Sequence, residues 1–346
     1  MRSPICAFAI LASMCSGQTC SGQTTASGQN AAEKTRADFL RMIERPRVPL
    51  APRIAQEGPE VHFSYASDSD QRVPGILLRP ASDAKTSGGK APAAIVLHGT
   101  GGRKEDELPL LRKFAAAGFL AIAIDAPYHG ARTAAGHGSA EYQDAILRTY
   151  RTGKEHPFLY DTVWDVMRLI DFIETLDGAD ANRIGAIGIS KGGMELYLAA
   201  AADPRIKVAV PCIAAQSFRW ALDHDSWQSR AGTFRTALDS AARDEGVTVA
   251  DAAFLRRFYD KVAPGIYGEF DGPAMLPLIA PRPLLTINGE IDARTPMPGL
   301  EECFAAIRKA YAGAPDRFRT IIEKNTGHKV NPDAIDEAIA WFAKWL

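Results

Sequence analysis

From Ala93 onward the chain alternates runs of consecutive apolar residues with stretches that are apolar on one side only. "AAIVLHG" is a short apolar run that predicts a buried strand. "EDELPLLRKFAAAG" follows it, with Leu108, Leu111, Phe114 and Ala115 on one helical face and Gly118 closing the helix. "FLAIAIDAP" predicts the next strand and "YHGARTAAGHGSAEY" a polar loop. "YDTVWDVMRLIDFIETL" has helical period through Val163, Met167, Ile170 and Ile173. Strands "RIGAIGI", "RIKVAVPCIA", "RPLLTING" and "RFRTIIEKN" then alternate with helices "KGGMELYLAAAA", "MPGLEECFAAIRKAYAG" and "NPDAIDEAIAWFAKWL". The last helix has Asn331 as N-cap and Pro332 at its first position, and is expected to bury Ile335, Ile339, Phe342 and Leu346.

Upstream the period changes. "EVHFSYAS" and "VPGILLRP" alternate apolar and polar positions around "DSDQR", which predicts an antiparallel hairpin. "KTRADFLRMIERPRVPLAP" reads as a short helix and a proline-rich extended segment. Strands that are apolar without alternation, separated by helices, form a parallel sheet covered on both faces. The expected fold is therefore α/β, a mostly parallel eight-stranded sheet flanked by helices. Residues 216–280 break the rhythm. With two tryptophans and many charges they predict a helical insertion, either cap-like over one end of the sheet or an ordinary long crossover.

The first residues differ again. "MRSPICAFAILASMCSGQ" has Arg2, an apolar stretch from Ile5 to Met14 and then small residues, the pattern of a secretory signal peptide. Lipoprotein anchoring at Cys15 is a second reading, weakened by Met14 just before it. Three copies of SGQ, at Ser16, Ser21 and Ser27, read as a flexible linker. The expected organisation is thus signal peptide and linker over 1–30 and a single domain over 31–346.

Composition narrows the function. A net charge of −1, with 46% hydrophobic and 23% charged residues, describes a globular protein with no basic stripe for nucleic acid. No apolar run approaches the ~20 residues that span a bilayer. Of five cysteines only Cys212 and Cys303 lie outside the leader. They form no disulfide framework and no metal pattern, and two buried thiols are a simpler reading than one bridge. His98, His129 and His137 lack ligand spacing, so no metal and no cofactor are expected.

Ligands of parallel α/β sheets sit beyond the carboxyl ends of the strands, so residues just after strands carry the candidate chemistry. Ser190 lies there in "IGAIGISKGGMEL", flanked by Gly188 and Gly192 in a G-x-S-x-G spacing. "LHGTGG" exposes backbone N–H groups, and those of Thr100 and Lys191 are candidates to hold an oxyanion. Asp292 follows the strand of "INGEIDARTP", with Glu290 as its rival. His328 follows the last strand in "EKNTGHKV", and of the seven histidines it alone lies C-terminal to both Ser190 and Asp292. A serine hydroxyl needs a histidine to take its proton, and the histidine needs a carboxylate to fix its tautomer. His98, Tyr128, His129, Trp220 and Trp227 are candidates to line a substrate site. For each of them a structural role is the alternative.

The order Ser, acid, His is that of one fold in particular. On the HG loop, the G-x-S-x-G turn, Gly289 to Asp292 and His328, the chain resembles the α/β-hydrolases over about residues 60–346. The details are similar to the esterase, dienelactone-hydrolase-like and acetyl-xylan-esterase-like branch. A dienelactone hydrolase proper carries cysteine at the elbow, so Ser190 favours ester hydrolysis. The resemblance implies a serine hydrolase of carboxylic esters, acting on a small-molecule or carbohydrate ester, and the signal-peptide pattern adds that it is secreted or periplasmic. A carbohydrate deacetylase or small peptidase with the same triad is the alternative, and an inert binding protein of this fold the more distant one.

Overall fold

The computed structural model describes Met1 and residues 21–80, 86–134 and 139–346. The apolar leader with Cys6, Cys15 and Cys20, on which the signal-peptide and lipid-anchor readings rest, lies outside the described residues, as does His137. Among the described residues nine strands form one sheet. They are β1 (Arg53–Glu57), β2 (Glu60–Ala66), β3 (Arg72–Leu78), β4 (Ala91–Leu97), β5 (Leu120–Ile124), β6 (Ala179–Ile189), β7 (Ile206–Cys212), β8 (Leu284–Gly289) and β9 (Phe318–Glu323). Their spatial order is β1-β2-β3-β5-β4-β6-β7-β8-β9. From β5 to β9 all neighbours are parallel, and β1, β2 and β3 join antiparallel.

The helices are α1 (Ser21–Ile43), α2 (Leu108–Ala116), α3 (Ser139–Thr152), α4 (Tyr160–Ile173), α5 (Lys191–Ala202), α6 (Phe218–Asp223), α7 (Gln228–Ala231), α8 (Arg235–Asp244), α9 (Ala252–Val262), α10 (Gly272–Met275), α11 (Met297–Ala310) and α12 (Pro332–Trp345). The central strands are apolar at every position because each feeds two cores. Ile95, Leu97, Ile122 and Ile184 point into a core shared with α4, α5 and α11. Ala94, Val96, Ala123 and Ile187 point into a second core under α2 and α12.

The expected eight strands become nine through β1. Its residues pair in full register with β2, Arg53 opposite Ser64 through Glu57 opposite Glu60. It lies at the sheet edge with Ile54 exposed, so it lacks the apolar density that marks the inner strands. Residues 21–30, assigned to the linker by composition, form the first turns of α1. Once a helix is nucleated, each added residue contributes a hydrogen bond without a new nucleation cost. The predicted polar loop ends earlier than expected, because α3 already begins at Ser139. In α12 the buried residues are Ala334, Ala338, Trp341 and Phe342, while Ile335, Ile339 and Leu346 pack at the margin of the same core.

The insertion between β7 and β8 is helical, α6 to α10. Its two ends are clamped by Asp271, whose carboxylate accepts the N–H groups of Phe218 (2.8 Å), Arg219 (3.0 Å) and Gly272 (2.7 Å) and the hydroxyl of Ser217 (3.1 Å). The insertion packs sideways, with α8 and α9 on α3, and α6 and α10 on α11.

Glycine sets the closeness of β6, α5 and the loop after β4. A Cβ on Gly192 would stand 2.3 Å from the Leu97 carbonyl oxygen, and one on Gly188 would stand 2.2 Å from that of Gly192. Both obstacles are backbone, so a methyl group cannot be absorbed by a rotamer change. Gly192→Ala is expected to cost about 1–3 kcal/mol of stability, read as a lowered urea midpoint. An unchanged midpoint would contradict this packing.

Candidate active site

Ser190 sits between the last residue of β6 and the first of α5, with φ 55° and ψ −112°. A non-glycine residue in that region carries strain of roughly 1–3 kcal/mol and persists where its surroundings over-determine it. Here they do: the Ser190 N–H donates to the Cys212 carbonyl (2.9 Å), and its carbonyl accepts the Met194 N–H (3.1 Å). The turn lifts the Ser190 hydroxyl out of the sheet plane toward the loops that follow β8 and β9.

Those loops are held together by backbone contact. The Ile291 N–H donates to the Thr326 carbonyl (3.1 Å), and a Cβ on Gly289 would lie 2.3 Å from both the Thr326 and Gly327 carbonyl oxygens. Asp292 and His328 meet across this seam. His328 Nδ1 lies 2.7 Å from Asp292 Oδ2, and His328 Nε2 lies 2.7 Å from Ser190 Oγ. Asp292 is buried, and it also accepts the Arg294 N–H (2.8 Å) and the Thr295 hydroxyl (3.0 Å). The Asn288 amide lies 3.3 Å behind Thr295. The rival acid is placed elsewhere. Glu290 is exposed, and its carboxylate accepts the Asn325 N–H (2.9 Å).

Electrostatics agree with this arrangement. Burial pushes the Asp292 carboxyl upward, but the hydrogen bonds from His328 and the Arg294 N–H outweigh it and hold the group below its usual value. Burial pulls His328 below the usual 6.5, only partly offset by Asp292. The imidazole is then neutral at neutral pH, with Nδ1–H directed at Asp292 and the Nε2 lone pair facing the serine hydroxyl.

Above Ser190 is a cavity of about 500 Å³. Its apolar wall includes Leu110, Ile189, Ile213 and Val330, and its polar groups include Glu107, Arg294 and Lys329. Thr100 lines it too. Neither the Thr100 nor the Lys191 N–H has an acceptor among the described residues.

The family model for acetyl xylan esterase (AXE1) matches residues 57–223. A putative hydrolase, YtaP, of Bacillus subtilis is 25% identical over 291 residues, covering 80% of this chain and 84% of that protein. A 4-O-methyl-glucuronoyl methylesterase of Wolfiporia cocos is 25% identical over 190 residues, 53% of this chain and 45% of the other. Among solved structures, the acetyl xylan esterase from Paenibacillus sp. R4 superposes with a TM-score of 0.61 at 18% identity, over 95% of this chain and 96% of that one. The nine-stranded sheet and its flanking helices have the α/β-hydrolase fold of these esterases.

The remaining candidates lie away from the cavity. His98 is buried, with Nδ1 2.8 Å from the Gly99 carbonyl and Nε2 accepting the Ala126 N–H (3.1 Å). Burial lowers its pKa to about 4, so it stays neutral and ties the loop after β4 to the end of β5. His129 is fully buried, and its Nδ1 lies 2.9 Å from the Pro127 carbonyl. Tyr128 faces a separate cavity beside Arg45 and Arg132. Trp220 stacks on His224 and rests against Gly299 of α11. Trp227 is buried, with its indole N–H on Asp225 (2.8 Å). No residue of 216–280 lines the cavity over Ser190, so the insertion has the geometry of a side-packed crossover. Cys212 and Cys303 are both buried free thiols.

Three features escaped sequence reasoning. The Lys191 side chain is buried in an ion pair with Glu195, with its ammonium 5.4 Å from the Tyr142 ring centre, so it braces the first turn of α5 from beneath. Arg230 of α7 is buried, with Nε donating to Gln216 (3.1 Å) and Nη2 to the Arg294 carbonyl (3.4 Å). It has no carboxylate partner among the described residues, and burial brings its pKa down to about 10. Its charge and that of Arg294 add to the lowering at His328. The third is Glu107 in the cavity wall. A basic residue in an insertion and an acid at a helix start carry no local signal of such placement.

Proposed function

We propose that this esterase is a secreted serine hydrolase of esterified carbohydrates, working through Ser190, His328 and Asp292 within one domain over residues 31–346. The observation that carries the reading is His328, which lies 2.7 Å from both Ser190 Oγ and Asp292 Oδ2. Ser190 Oγ attacks the ester carbonyl while His328 Nε2 takes its proton. Asp292 holds the imidazole in the required tautomer and stabilises the imidazolium. The oxyanion of the tetrahedral intermediate is held by the N–H groups of Thr100 and Lys191, both free to donate. His328 returns the proton to the leaving alkoxide, and the alcohol departs. Water, deprotonated by His328, then attacks the acyl-enzyme and releases the acid and Ser190.

The carbohydrate half of the reading is supported by the acetyl xylan esterase and glucuronoyl esterase relatives. A cavity with exposed Asp106, Pro109 and Lys329 at its rim suits a bulky polar alcohol better than a long acyl chain. Secretion is supported by Arg2 and the apolar run that follows it. Among the described residues no helix is long and apolar enough to cross a membrane.

A substrate panel tests this. Acetate release from acetylated xylan and hydrolysis of p-nitrophenyl acetate are expected, with p-nitrophenyl octanoate poor. Hydrolysis restricted to the octanoate would overturn the carbohydrate reading and leave the esterase.

A further inference from the structure

The turn Lys104–Glu107 carries three consecutive acids at the mouth of the site. Two are tied into the fold. Glu105 pairs with Lys104 (2.7 Å), and Asp106 accepts the Arg103 N–H (3.1 Å). Lys104 in turn reaches the fully buried Asp125 (2.8 Å). Glu107 is different. It is half-buried in the wall of the cavity that holds Ser190 and His328, and its carboxyl has no hydrogen bond or ion pair among the described residues.

A carboxylate withdrawn from water without a partner destabilises the free protein. Burial, with Asp106 beside it, pushes this group up to about 7. Glu107 is also the N-cap residue of α2, but its side chain makes no cap hydrogen bond. A carboxylate serving the helix dipole would be held below its usual value, the opposite of the direction found. Its hydrogen-bonding capacity, unmet by the protein, faces the cavity, where a ligand hydroxyl can take the place of water. A perturbed, unpartnered acid in a cleft is the pattern expected of a binding group.

We propose that Glu107 is a hydroxyl-binding group of the substrate cleft, its carboxyl oxygen accepting an O–H of the sugar ring whose ester lies at Ser190. This rests on the carbohydrate reading above and deepens it. Glu107 moves no proton in the reaction. It orients the substrate, so its loss falls on esters that carry ring hydroxyls.

The test compares wild type, Glu107→Gln and Glu107→Leu on an acetylated xylo-oligosaccharide and on p-nitrophenyl acetate, which offers no hydroxyl. Glu107→Leu is expected to reduce kcat/KM for the sugar ester, relative to the aryl acetate, by at least about tenfold, chiefly through KM. Glu107→Gln keeps a carbonyl acceptor and is expected to retain most of the selectivity. Because Glu107→Leu removes a half-buried acid that has no partner in the protein, it should unfold no earlier than wild type, which separates a binding role from a structural one. An equal fall on both substrates, or an unchanged ratio, would overturn the assignment while the carbohydrate reading stands. A wild type that cleaves the aryl acetate and not the sugar ester would overturn the carbohydrate reading, and this assignment with it.

Discussion

Ser190→Ala is expected to lower kcat on p-nitrophenyl acetate by about 10⁶-fold and to abolish labelling by a fluorophosphonate, with the fold intact. The magnitude follows from the loss of the acyl-enzyme route, for which knockouts of a serine nucleophile in such triads cost on the order of 10⁶. The residual rate, expected to be roughly 10³–10⁴ over water, comes from the oxyanion donors and substrate binding. Stability should hold or rise, because alanine releases little packing and the strained turn is held by its neighbours' backbones: the Ser190 N–H to Cys212 and the Met194 N–H to Ser190 do not involve the hydroxyl. A variant that keeps more than a small fraction of wild-type turnover would remove Ser190 from the mechanism.

Asp292→Asn has the second-largest expected effect, about 10⁴-fold in kcat. An amide can present N–H to His328 Nδ1, which drives the imidazole to the Nε2–H tautomer and leaves no lone pair facing Ser190. The pH profile gives the accompanying sign. In the wild type kcat/KM is expected to rise with pH as His328 deprotonates, with its midpoint below 6.5 because burial lowers that group, and to be flat above. Asp292 is one of the groups that raise the His328 value. Removing its charge therefore moves the midpoint to still lower pH. A midpoint that moves upward, or a loss of less than about tenfold, would contradict the role assigned to Asp292.

The site and the fold were legible to different depths. The apolar runs of β4 to β8 declare burial on both faces from local composition alone, and the helices between them declare a parallel sheet. β1 was not legible, because an edge strand exposes one side and one margin and needs few apolar residues. The alternation that marks a cavity wall is likewise invisible locally. Trp220 and Trp227 look like pocket aromatics in sequence, yet one stacks on His224 beside α11 and the other is buried in the insertion.

The order of Ser190, Asp292 and His328, each placed just after a strand, was determined by the sequence itself. Sequence order and strand position are local properties, and in a parallel sheet they assign all three residues to the same edge. Which of Asp292 and Glu290 lies against His328 is set only by the tertiary structure. Two residues apart on one loop, they differ in which way the backbone turns after β8, and that turn is set by contact with the Thr326–Gly327 backbone some thirty-five residues away. The same holds for Glu107 and Arg230. Whether a charge finds a partner depends on what packs across from it, and no local pattern records that.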